Sequence, residues 1–92
     1  MPRFLIEVPH EAERSACIRA VQVFLDTGSH FLTNADWGCL DGDHRAWIVL
    51  DAADKREARA IVPPGFREAA TIVQLNRFTP DDLDQMRDSH QG

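Results

Sequence analysis

Residues 36–47 read DWGCLDGDHRAW, and the way this stretch turns decides the fold. Asp41-Gly42 lies between two runs rich in apolar residues. A two-residue type I′ turn needs positive φ at both central positions, which Asp-Gly supplies more readily than other pairs. The segment from Phe31 to Leu50 is therefore expected to be a hairpin, with one face bearing Ala35, Trp37, Cys39, Ala46, Ile48 and Leu50. Trp47 falls on the opposite face. Gly38 reads as a gap over which Trp47 or Arg45 can lie.

Outward from the hairpin, the periodicity alternates between strand and helix. Residues 2–9, PRFLIEVP, place Phe4, Ile6 and Val8 on one side, as a strand with an apolar face does. Residues 10–28 change to helical spacing, with Cys17, Ile18, Ala20, Val21, Phe24 and Leu25 as the apolar stripe and Gly28 as a left-handed stop. Asp54 with Glu57 forms a capping box that opens a second helix, which Pro63-Pro64-Gly65 ends. Residues 70–78, ATIVQLNRF, read as a last strand, with Val73 and Leu75 expected in the core and Ile72 outside it. Thr79-Pro80 opens a short acidic helix or tail over 80–92.

The order β-α-β-β-α-β, with right-handed crossovers, predicts an α+β, ferredoxin-like domain over residues 1–79: a four-stranded antiparallel sheet with both helices on one face. The other face would carry Leu5, Leu32, Leu40, Trp47, Val49, Ile72 and Phe78 among polar groups. So much apolar surface is expected to be covered, by the C-terminal helix through Leu83 and Met86 or, better, by a second copy in a homodimer. With 92 residues the chain has a small core and would gain stability from a partner.

Composition removes several function classes. Fifteen acidic against ten basic residues give a net charge of −5, the wrong sign for binding phosphates. The aromatic and basic residues that an RNA-binding sheet of this topology needs are absent as well. Two cysteines in no C-x-x-C spacing suggest free thiols and a cytoplasmic, reducing setting. No apolar run approaches the ~18 residues of a membrane span, and no leader is expected.

The order of elements, the length and the half-polar open face resemble the small dimeric α+β barrel proteins across residues 2–79. That group includes muconolactone-isomerase-like enzymes, cofactor-free monooxygenases and stand-alone domains, some of them proposed nickel binders. No catalytic signature of the group matches here residue by residue. The resemblance implies a homodimer with a small-molecule cavity between its sheets and a cofactor-free isomerase or monooxygenase-like reaction.

The residues themselves offer two sites. On the open face Glu7 and Asp36 are candidate bases, because enclosure raises a carboxylate's pKa. Asn34 and Asn76 are their polar catalytic partners. Trp47, Gln74, Arg45 and Arg3 make up a ligand-binding set, with Trp47 as the stacking wall. The plainer reading pairs Glu7 with Arg3 or Arg45 at a dimer seam and leaves an interaction module without catalysis. The alternative site is a transition-metal centre for nickel, zinc or copper built on His44, Cys39 and His30, with Asp36 nearby. A turn at Asp41-Gly42 would put Cys39 opposite His44, with Cβ atoms ~5 Å apart. Cys17, on a buried helical stripe, is a poor nucleophile, and His10 reads as a surface or capping residue. Residues 41–52 fail as a calcium loop for want of a sixth-position glycine.

Overall fold

The computed structural model describes residues 1–90. It is α+β: β1 (Arg3–Pro9), α1 (Arg14–Thr27), α2 (His30–Thr33), β2 (Asp36–Trp37), β3 (Arg45–Asp51), α3 (Lys55–Ile61), β4 (Thr71–Leu75) and α4 (Pro80–His90). Four strands form one sheet in the order β2-β3-β1-β4, every pair antiparallel. This arrangement is compatible with a ferredoxin-like fold.

Strand β1 alternates as its sequence predicts, burying Phe4, Ile6 and Val8 under the helices. Its partner β3 buries Ala46, Ile48 and Leu50 on the same side, because Ile6 pairs with Ile48. Helix α1 docks through Phe24, whose ring meets Trp37 and Phe66 edge-on at 4.9 and 5.8 Å. Gly28 ends the helix at φ 71°, in the left-handed region that glycine enters without steric cost. Ala58 and Val62 bring α3 onto the same core. The Asp54 carboxylate accepts from the Glu57 amide at 2.8 Å, the first half of the expected capping box, while the Glu57 carboxylate reaches one residue beyond the cap and accepts from the Ala53 amide at 3.0 Å.

Two expectations are corrected. Residues 38–44 do not form a two-residue turn. The chain instead makes a single 3₁₀ turn at Cys39–Asp41, closed by Gly42 at φ 85°, and no residue other than glycine has positive φ among those described. A type I′ turn would have needed Asp41 there too. The loop hangs instead from the Gly38 carbonyl, which accepts from the amides of Asp41 and Asp43 at 3.0 Å. Residues ahead of β2 that were expected to extend it form α2, which buries Leu32 in the core rather than on the open face. The pairing parity survives nonetheless, since Asp36 faces Trp47 and Trp37 faces Ala46.

The second correction concerns β4, whose faces are exchanged. Ile6 pairs with Ile72 and Leu5 with Val73, so Ile72 is core and Val73, 42% exposed, lies on the open face. Every residue of this segment except Gln74 and Thr71 was apolar enough for either side, and the pairing with β1 decided. Leu40 is fully exposed at the tip of the 3₁₀ turn rather than on the sheet.

Candidate metal centre

Where β1 ends, the backbone amide of His10 donates to the carbonyl of His44 at 3.0 Å. The β1–β3 ladder thereby continues one step past Pro9–Arg45 and sets the two imidazoles side by side, ring centroids 5.7 Å apart at 87°. The first turns of α1 bring Cys17 to the same end of the sheet, and the 3₁₀ turn brings Cys39. One ligand atom from each of His10, Cys17, Cys39 and His44 lies within 4.8 Å of all the others. All four residues are half-buried.

Gly38 is what lets the loop reach this position. A Cβ there would stand 2.7 Å from the Asp43 carbonyl oxygen and 2.8 Å from the Trp47 ring, so the expected gap is real and Trp47 fills it. Arg45 clamps the far side of the loop, its guanidinium donating to both Asp43 carboxylate oxygens at 2.7 and 2.6 Å. This contact holds the Asp43 carboxyl below its ordinary range.

The electrostatics separate two uses of such a cluster. Cys39 Sγ lies 3.1 Å from His10 Nε2, a distance that a thiolate–imidazolium nucleophile would also show. Burial, reinforced by the neighbouring Cys17 thiol, pushes the Cys39 thiol up to about 11. Burial and then the nearby His44 lower the pKa of His10. Both groups are therefore neutral near pH 7, and an activated thiolate is not formed. Neutral imidazole is, by contrast, the form that ligates a metal. The Nδ1 atoms of His10 and His44 are buried and lack hydrogen-bond partners, and each such orphan costs about 1–3 kcal/mol.

Of the metal ligands expected from sequence, Cys39 and His44 are brought together and His30 is not. His30 sits on α2, where its Nδ1 lies 3.3 Å from Asn34 Nδ2. Asp36 lies on the open face, opposite Trp47. His10 and Cys17 stand beside Cys39 and His44 instead: His10, expected at the surface or as a cap, is half-buried in the cluster, and Cys17 lies on α1 as its stripe implied. The missed signal was positional: β1 beside β3, antiparallel, makes the residue after Pro9 the neighbour of the residue before Arg45.

On the open face, Asp36, Trp47, Glu7 and Thr71 form one row across the four strands. Asn34, Asp36 and Trp47 do share a groove, of about 260 Å³, with His30 and Phe31. Glu7 lies 3.6 Å from Arg45, the paired state that the plainer reading expected, and the Arg45 guanidinium stands 5.2 Å from the Trp47 ring centroid. Gln74 pairs with Phe4, so it belongs to the helix side of the sheet, and Asn76 lies beyond the end of β4. Neither joins Glu7 and Asp36. Arg3 keeps its place on the open face, between Asp51 and Leu75.

No described helix is long and apolar enough to cross a membrane. Comparison with family models, with curated proteins and with solved structures finds no match to this chain.

Proposed function

We propose that this protein binds a transition-metal ion, zinc or a metal of similar softness, through His10, Cys17, Cys39 and His44. The observation that carries the reading is the convergence of two imidazoles and two thiols within 4.8 Å. Donors around a tetrahedral zinc stand about 3.3–3.8 Å apart, so small side-chain adjustments would close the cluster onto an ion. Two thiols with two imidazoles suit zinc or copper better than calcium or magnesium, which take oxygen donors. The unpartnered Nδ1 atoms support the same reading, since a ligand or an outer hydrogen bond would satisfy them. Four protein donors leave no open coordination position, the pattern of sites that hold an ion for structure, storage or transfer rather than for hydrolysis.

Elemental analysis of the reduced protein after zinc loading should find one equivalent of metal. Cobalt substitution should give thiolate-to-metal charge-transfer and tetrahedral d–d absorption. His10→Ala and Cys17→Ser should each abolish both signals, while His30→Ala should leave them intact. Reduced wild-type protein that retains no zinc and gives no cobalt spectrum would remove the proposal.

A further inference from the structure

The chain's two cysteines are both free thiols, and both lie in the cluster, so their Sγ atoms stand within 4.8 Å of each other. A disulfide holds its sulfurs about 2.05 Å apart, which leaves less than about 3 Å to close. The elements that carry the two side chains are unequally firm. Helix α1 is anchored by Ala20 and Phe24, both 1% exposed. The 3₁₀ turn at Cys39–Asp41 buries none of its residues, and Leu40 at its tip is fully exposed. The turn can swing Cys39 toward Cys17 without opening the core, so the turn yields and the helix stays. Access differs as well. Cys17 borders an open groove of about 240 Å³ along α1, with Ile18, Val21, Gln22 and Leu25. Cys39 Sγ lies against His10 Nε2 at 3.1 Å. A small oxidant arriving from solvent meets Cys17 first.

We propose that Cys17 and Cys39 are a redox pair, closed to a disulfide by a hydroperoxide, and that closing it releases the metal ion. The pairing stands on the geometry of the two sulfurs, while the release rests on the metal-binding reading above. In the first step the Cys17 sulfur attacks a peroxide oxygen. An S–O bond forms, the O–O bond breaks, and the departing hydroxide leaves as water with the thiol's proton. In the second step Cys39 Sγ attacks Cys17 Sγ and the S–O bond breaks. The hydroxide leaves as water with the Cys39 proton, relayed through His10 Nε2. Two thiols thus give up two electrons and two protons, and the peroxide is reduced to two waters. With an ion bound the sulfurs carry no protons, and solvent supplies both. Thiolate is the ligating form of cysteine. Oxidation therefore leaves His10 and His44 as two donors where four held the ion. A thiol reductant reverses the change by exchange.

Hydrogen peroxide added to the reduced, metal-free full chain tests the pairing. The intact mass should fall by two hydrogens, and both cysteines should be lost to alkylation. Trypsin should then give residues 15–19 joined to residues 20–45 until a reductant separates them. Cys39→Ser should stop at a sulfenic acid on Cys17, trapped by dimedone. Cys17→Ser should react with peroxide about tenfold more slowly than Cys39→Ser, and the reverse ranking would overturn Cys17 as the point of attack. Zinc-loaded protein should lose its ion to a chromogenic chelator in step with the disulfide and take it back after reduction. Overoxidised Cys17 beside a Cys39 that still alkylates, or a disulfide formed between chains alone, overturns the pairing. Zinc that stays bound after the disulfide has formed overturns the release. Protein that takes up no zinc yet forms the disulfide sinks the metal-binding reading and upholds the pairing.

Discussion

At Gly38 a single hydrogen in place of a methyl group decides whether Cys39 reaches its neighbours. The obstacle to a Cβ is partly backbone, the Asp43 carbonyl at 2.7 Å, which cannot swing aside as a side chain does. Gly38→Ala should cost about 1–3 kcal/mol in urea denaturation and should also weaken cobalt binding, because the loop carries Cys39. His10 makes a second prediction at this scale, through its pKa, which burial and His44 lower. Below the ordinary value of 6.5 the unfolded chain takes up this proton before the folded protein does. Metal-free protein should therefore lose stability as pH falls from 6.5, and His10→Gln should flatten that part of a stability–pH profile. Asp43 and Asp82 have carboxyls lowered from 3.8, the first by its hydrogen bonds to Arg45 and the second by those to Thr79. Their stabilisation is present above 3.8 and is lost below it, so the two phases separate on the pH axis.

Among the elements, α3 owes its start to one side chain. Asp54→Ala removes the acceptor for the Glu57 amide and should destabilise the protein by about 1 kcal/mol, measured by thermal or urea unfolding. Asp54→Ser should restore most of this. Local chemistry of this sort was readable in advance: the Asp54 cap, the Gly28 stop and the alternation of β1 all depend on neighbours within a few residues. The 3₁₀ turn at Cys39–Asp41 was not. Asp41-Gly42 carries a real turn preference, yet the Asp43–Arg45 clamp and the Gly38 carbonyl impose a wider loop that asks positive φ only of Gly42. Strand β4 shows the same limit. Ile72 and Val73 are equally apolar, and only pairing with Ile6 and Leu5 tells them apart.

At the scale of the whole molecule, the cluster of two histidines and two cysteines joins the end of β1, the start of α1, the 3₁₀ turn and the residue before β3. Its donors are spread from residue 10 to residue 44, so loop closures and strand pairing must precede the site. Amphipathic periodicity, caps and crossover handedness followed from the amino-acid sequence by itself, because each is a property of short segments, and with them came an α+β sheet with its helices on one side. Cys39 and His44 were also legible as neighbours, although the 3₁₀ turn rather than the expected two-residue hairpin brings them together. Only the tertiary structure decided that His10 and Cys17 complete the group and that His30 stays with Asn34 on α2. Strand neighbours and helix docking are long-range choices, made by burying Ile6, Phe24 and Ile72 together, and no local spacing encodes which donors that burial brings within reach.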